Sequence, residues 1–384
     1  MVVQDSGPGC PEDFLMKYRL VELLCCPSCA GDLELSGIKQ VARPGACRVF
    51  TCQRYCALDR TARIPPLDRC TDCAGIEIVA GTLDCRSCQK RFPIVESIPW
   101  LFDPAHAPSS RTFSDTIALY SYLWTRTDSD ISQNPTHVEG VEEALGEPVV
   151  QGGLWLDAGS GSGADTVAMA SRHPSVEVIS VDISEGVYET YRRAAWLPNV
   201  HVVRGSVLAL PLKSGICDFA YSFGVLHHTS DPEGGMREIA RVVKAQGPVS
   251  LYLYEDHEGN PWKAIPLKVV SVSRRVTTRL GPQALSALCY LLSPLVVIIF
   301  SIPARIMRRF ERTSGLAKRM PFNFGTSLFS VHDDLLDRFG APIEVRYNRA
   351  GVTTLLRASG LLAIKTGKLK ASAGWVAQGL KASA

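Results

Sequence analysis

Between Gly152 and Tyr254, short and nearly continuous apolar runs alternate with segments whose apolar residues recur every three or four positions. The runs fall near 154–156, 178–181, 201–203, 217–222 and 248–254, and the helical segments near 164–172, 185–195 and 234–244. Parallel strands covered by helices on both faces read as continuous apolar runs rather than as strict alternation, so the pattern predicts a doubly wound α/β sheet. In such sheets ligands sit beyond the carboxyl ends of the strands. A helical pattern resumes at His332 to Phe339, further strands are expected near 343–347 and 361–367, and the chain finishes near Trp375 to Gly379.

At 384 residues the chain has material for two or three domains. The expected division is a Cys-rich domain over 20–103, a linker with helices over 104–150, an α/β core over 151–255 and 331–384, and an insertion over 256–330. Met1 to Phe14 carries acids and prolines but no apolar run, so no secretory signal is expected and the chain is expected to be cytoplasmic. In a reducing compartment, thirteen cysteines with paired C-x2-C spacings indicate metal rather than disulfides. The sharpest unit is Cys70 and Cys73 followed by Cys85 and Cys88, with a hairpin between the pairs that would gather four thiolates around Zn²⁺. Cys26 and Cys29 open a second unit with Cys52 and Cys56, where Cys25 and Cys47 compete. Order along the chain leaves connectivity open, and Cys26 and Cys29 could instead join Cys85 and Cys88. One or two structural zinc ions are expected, because a closed four-ligand site leaves no coordination position for chemistry. Four linked pairs argue against a redox C-x2-C.

The chemistry concentrates at Gly153 to Gly163. A short apolar strand ends at Asp157, and Gly159, Gly161 and Gly163 form a turn that lets the backbone approach a ligand closely. Asp182, nineteen residues after Gly163, ends the second strand and can hold ribose hydroxyls. Gly159, Gly161 and Ala164 also satisfy the relaxed dinucleotide fingerprint, but the loop has no Lys or Arg for a pyrophosphate. Asp157 instead suits a ligand whose methionine part is a zwitterion with a sulfonium.

With Asp218 to Pro232 downstream, residues 153 to 255 resemble the core of class I S-adenosylmethionine-dependent methyltransferases, close to the quinone-biosynthesis type. The resemblance implies a seven-stranded Rossmann-like sheet completed by the last strands. It puts Asp157, Gly159, Gly161 and Gly163 at the cofactor's methionine end, Asp182 at the ribose, and Ser206, Val207 and Phe223 among the remaining cofactor contacts. The family's Gly-Asp before the adenine contact is Gly205-Ser206 here. His227 and His228 stand where the family places residues facing the transferable methyl, and a histidine there could deprotonate a hydroxyl acceptor. Positioning alone can also carry much of a methyl transfer, and a His-His pair also occurs as mere decoration of that turn. The resemblance also implies that helices within 104–150 close over the cofactor, and the phrase with Tyr120, Tyr122 and Trp124 resembles part of them, although these three are read as core aromatics.

The phrases Leu24 to Leu33 and Leu83 to Leu101 resemble the small zinc-ribbon family that activates tRNA, rRNA and protein methyltransferases, here fused in cis. The Cys47 to Cys73 segment departs from that single ribbon and requires a duplication or an insertion. The acceptor is expected to be a small molecule, hydrophobic or lipid-linked. The alternative is rRNA or tRNA methylation with the ribbon contacting RNA, against which stand the ribbon's weak basicity and Phe223-Gly-Val-Leu226 in place of an Asn-Pro-Pro-aromatic signature. A non-catalytic adaptor is a third reading, opposed by the intact glycines and acids.

Net charge is only +3, but it is unevenly placed. Lys263 to Arg319 holds eleven Lys or Arg against one acid, Glu311, and inside it Gln283 to Ala304 runs twenty-two residues without charge. Pro294 is expected to break that run, and basic residues flank both ends, so a helical hairpin dipping into one anionic leaflet is one expectation, peripheral or monotopic at the inner face of the membrane. A soluble lid over the acceptor pocket is the other.

Overall fold

The computed structural model describes residues 16–42, 50–62, 73, 75–103, 111–125, 137–146, 150, 152–317, 320, 322, 328–369 and 374–383. The strands among them are numbered in chain order, β1 to β14. The core sheet is built from β8 (Gly153–Ala158), β9 (Val176–Asp182), β10 (Val200–Gly205), β11 (Phe219–Phe223) and β12 (Pro248–Tyr254), with β13 (Leu361–Lys368) and β14 (Gly374–Lys381) closing it. Its spatial order is β10-β9-β8-β11-β12-β14-β13, parallel from β10 to β12, with β14 antiparallel to β12 and β13 antiparallel to β14. The order reverses between β8 and β11, so the crevice for a ligand opens at their carboxyl ends. Residues 343–347, expected as a strand, make only an isolated bridge from Tyr347 to Glu255, so their extended backbone docks on the end of β12 without joining the sheet.

The Cys-rich domain is continuous with this sheet. Its strands β1 (Met16–Lys17), β2 (Leu33–Ala42), β5 (Ile76–Cys85), β6 (Arg91–Val95) and β7 (Ile98–Leu101) pair among themselves, and β7 then pairs parallel with β10, Arg204 opposite Trp100 and Gly205 opposite Leu101. A small hairpin of β3 (Tyr55–Cys56) and β4 (Thr61–Ala62) stands apart. Buried charges lock the junction. The Arg19 guanidinium reaches Glu177 on β9 at 3.1 Å and Glu22 at 2.7 Å, and Glu177 also bonds His201 on β10 at 2.9 Å. Burial opposes ionisation of Glu177, but His201 and Arg19 overcome it and hold its pKa at about 2. Burial keeps His201 itself neutral, so the lasting countercharge is Arg19. Removing one partner of such a set strands a buried charge, which costs several kcal/mol.

Two layers of helix cover the far side of the ligand crevice. Arg111–Thr125 and Leu328–Gly340 share an apolar cluster with the insertion, made by Leu119, Leu123, Leu285, Cys289, Val331 and Leu335. The insertion consists mainly of the helices Pro261–Thr277 and Pro282–Met307. Pro294 does not break the second helix. The turn widens to a π-helix over Val297–Ser301, between Pro294 and Pro303, which accommodates residues that donate no N–H to the ladder. A hairpin folded at Pro294 is therefore absent. The lid is absent too: among the described residues, none from 256 to 317 lines the cleft, because Leu328–Gly340 lies between.

Candidate active site and thiolate clusters

The loop after β8 forms the floor of a cleft of about 480 Å³. Gly159, Gly161 and Gly163 have φ of 94°, 54° and 82°, in the left-handed region. Space forbids a side chain as well. A Cβ on Gly159 would lie 2.3 Å from Val225, on Gly161 2.9 Å from the Trp124 ring, and on Gly163 2.8 Å from Thr190. Asp182 at the end of β9 accepts from Gly161 N at 2.8 Å, and from Ser184 N at 2.8 Å and Ser184 Oγ at 2.6 Å. It thus tethers the loop while lining the cleft, and a carboxylate has lone pairs left for ribose hydroxyls. Ser206, Val207 and Phe223 also line the cleft. These residues fit S-adenosylmethionine: a cradle without side chains, with an acid at the end of each of two adjacent strands.

Asp157 is buried and accepts from Thr166 Oγ1 at 2.5 Å. Burial raises its carboxyl to about 8, with the Thr166 hydroxyl pulling the other way. A cofactor bearing ammonium and sulfonium charge favours the ionised form, so below that pKa binding must first displace a proton. Cofactor affinity is expected to rise as pH approaches about 8 and then level, by at most about tenfold per pH unit. Calorimetry in buffers of different ionisation enthalpy reads the released proton, and a flat profile would refute this role for Asp157.

The two histidines part company. The 3₁₀ turn Leu226–His228 points successive side chains about 120° apart, so one ring can face the cleft and its neighbour cannot. His228 lines the cleft. His227 does not, contrary to expectation; it is fully buried against Tyr254 at 3.9 Å between ring centres, with neither nitrogen hydrogen-bonded. Burial drives its pKa well below the usual value. His228 Nδ1 lies 2.8 Å from the Ile343 carbonyl, which can only accept, so Nδ1 carries the proton and Nε2 is left as the basic nitrogen. Asp337 Oδ1 stands 3.8 Å from Nε2 and accepts from Tyr120 Oη at 2.7 Å, while Oδ2 accepts from Tyr254 Oη at 3.0 Å. Sequence reasoning missed Asp337 and His137, and it read Tyr120 and Trp124 as core aromatics although they line the cleft from a helix expected to close over the cofactor. His137 opens the helix His137–Leu145, lies 2.9 Å from Asp165 and lines the cleft. Only the tyrosine-tryptophan phrase carried a local signal.

The thiols of Cys26, Cys29, Cys85 and Cys88 lie within 4.8 Å of one another, so the crossed arrangement is the one formed. The pairing of Cys70 and Cys73 with Cys85 and Cys88 is thereby corrected, because β2 and β5 run antiparallel and bring Leu33 opposite Cys85. Each pair sits in the same knuckle: Ala30 N donates to Cys26 O at 2.8 Å with φ 57° at Ala30, and Gln89 N to Cys85 O at 3.0 Å with φ 61° at Gln89. Sulfur separations of 3.5 and 3.6 Å approach the roughly 3.8 Å of a tetrahedron with 2.3 Å zinc–sulfur bonds. Cys52, Cys56 and Cys73 form a second buried cluster. Cys70 and Cys47 lie outside the described residues. This second cluster lies in the segment between β2 and β5, so Cys52 and Cys56 do not join Cys26 and Cys29.

Comparison with known proteins finds two matching regions. Residues 17–97 match a family model described as Trm112p-like protein, and residues 156–251 one described as methyltransferase domain. An uncharacterized 37.1 kDa protein in transposon TN4556 of Streptomyces fradiae is 34% identical over 135 residues, 35% of this chain and 37% of that protein. The malonyl-[acyl-carrier protein] O-methyltransferase of Gallionella capsiferriformans is 32% identical over 99 residues, 24% of this chain and 34% of that protein. The chain thus spans little more than a third of the length of either relative. A solved complex of the Haloferax volcanii Trm112 methyltransferase activator with a methyltransferase aligns at TM-score 0.41 and 13% identity, over 69% of this chain and 98% of that one. The chain thus carries, in one polypeptide, a region that matches the Trm112p-like model ahead of a region that matches the methyltransferase-domain model.

Proposed function

We propose that the protein transfers a methyl group from S-adenosylmethionine to a hydroxyl of a small, hydrophobic or lipid-linked acceptor. The observation that carries this reading is one cleft with two chemically distinct ends: the glycine loop with Asp157 and Asp182, and the His228–Asp337 pair framed by Tyr120 and Tyr254. When bound, the cofactor supplies an electrophilic methyl on a sulfonium, which leaves as a neutral thioether. The chain's own residues orient the acceptor against it, and His228 Nε2 takes the hydroxyl proton as the oxygen–carbon bond forms. Asp337 then faces the resulting imidazolium. The relative named for O-methylation of malonyl-[acyl-carrier protein] accords with an oxygen acceptor.

RNA is the lesser reading, because Asp333, Asp334 and Asp337 all line the acceptor end and would repel a phosphate backbone. Incubation with labelled cofactor and cell extract separates the two: label partitioning into organic solvent or small metabolites is expected, and label in RNA alone would overturn the assignment. Zinc in the four-thiol cluster is structural in this reading. Asp182→Ala removes ribose bonds and the Gly161 tether together, so cofactor affinity should fall by about ten- to a hundred-fold. Unchanged affinity by calorimetry would remove Asp182 from the site.

A further inference from the structure

Helix Pro282–Met307 is amphipathic in the reverse sense to a helix on a water-facing surface. Its buried face carries Ser286, Cys289, Ser293, Ser301 and Ala304 beside Leu285. Its outer face carries Leu291, Leu295, Ile298, Ile299, Ile302 and Ile306, each 44% to 75% exposed. The inward hydroxyls are satisfied by protein: Ser286 Oγ lies 3.1 Å from His332 Nε2, and Ser301 Oγ donates to the Phe322 carbonyl at 2.9 Å. Small residues inward and large aliphatics outward is the distribution of a helix whose surroundings are apolar.

Helix Pro261–Thr277 repeats the pattern. It buries no residue, and Trp262, Ile265, Val269, Val272 and Val276, spaced three and four apart, form one stripe 59% to 65% exposed. Of 21 exposed large hydrophobic residues among those described, 16 lie between Trp262 and Leu316, so this is a continuous region rather than ordinary scatter. Lys268, Arg275, Arg279, Arg305, Arg308 and Arg309 are exposed in the same region, where Glu311 is the lone acid. Two copies joined through this face about a two-fold axis would set these cations against each other, whereas an anionic surface would neutralise them.

We propose that these two helices lie in the interface of an anionic lipid bilayer, apolar stripes toward the acyl chains and arginines at the headgroups. The helices do not cross it, because the inner face of Pro282–Met307 stays packed on Arg111–Thr125 and Leu328–Gly340. Leu328–Gly340 meets the insertion on one side and lines the cleft with Asp333, Asp334 and Asp337 on the other, so membrane and cleft are separated by about one helix diameter, roughly 10 Å. Delivery of a lipid-soluble acceptor across that distance rests on the proposed methyl transfer; membrane binding does not.

Flotation of the full chain, without cofactor, on phosphatidylcholine vesicles with and without phosphatidylglycerol tests this. The protein is expected to float with the anionic vesicles at low salt and less so at high salt. Leu291→Glu/Ile298→Glu alters two side chains already exposed, so thermal unfolding should be unchanged while vesicle affinity falls by about a hundred-fold or more. The proposal is overturned if the intact protein stays at the bottom at low salt, or if the variant floats equally. It is also overturned if light scattering shows a dimer that the variant dissolves and no flotation occurs, which would assign the face to a second copy. Methyl transfer can fail with flotation intact, and the reverse, so the two readings are separable.

Discussion

Stripping the metal, or replacing Cys26 and Cys85 with serine, is expected to unfold the N-terminal domain and weaken cofactor binding to the core with it. Structural zinc in finger-type sites contributes about 10–16 kcal/mol of apparent binding energy near neutral pH, more than the small apolar core of one ribbon can replace. Four thiols from two knuckles, 59 residues apart in sequence between Cys26 and Cys85, converge with sulfur spacings that fit zinc. Loss would not stay local. Strand β7 follows Cys88 closely and pairs with β10, whose end leads directly into Ser206 and Val207 in the cleft. Metal analysis of protein purified without chelator should find one or two zinc ions per chain, and chelation should lower both the unfolding temperature and cofactor affinity. Cys289→Ala, in a thiol of neither cluster, should leave the zinc count unchanged. Protein that contains no zinc yet is folded would end the metal assignment.

The second large effect concerns the reaction. His228→Ala is expected to reduce kcat by about 10²- to 10⁴-fold, the usual span for a positioned general base, with cofactor affinity little changed. His228 Nδ1 is committed to the Ile343 carbonyl, so His228→Gln cannot reproduce a basic Nε2 and should not rescue. Asp337→Asn should lower kcat less and alter the pH profile. Its carboxylate accepts from both Tyr120 and Tyr254, and an amide has only one oxygen to offer them. His227→Phe is the contrasting change: the ring is fully buried and packed on Tyr254, so stability should respond and the pH profile should not. If His228→Ala keeps kcat within a few-fold, transfer proceeds by positioning alone and the base assignment falls.

Much of the core and of the glycine-loop end of the cleft is legible in the amino-acid sequence. Each core strand from β8 to β12 lies where an apolar run is read, because a strand buried on both faces admits little else. The glycine loop is legible for a similar reason: positive φ and absent space are local demands that glycine alone meets, and Asp157 and Asp182 follow from ending adjacent strands. Pro294 misleads because a proline states what one turn cannot do, not whether a wider π turn will absorb it.

Features set within a few residues can be read from the chain alone: strand runs, the loop, the two acids, the C-x2-C knuckles and the basic, uncharged-centred insertion. Folding settles the rest. It selects which knuckles share a thiol cluster, joins β7 to the core sheet through β10, and turns only one of two adjacent histidines toward the cleft. It also brings Asp337, more than a hundred residues from His228, into the same cleft, and turns Ser286, Ser293 and Ser301 of Pro282–Met307 inward and that helix's isoleucines outward. These outcomes depend on pairings between segments far apart in the chain, set by strand direction and by which helix faces meet. A run of residues specifies its own backbone and its own apolarity, but not the partner against which its faces will be divided.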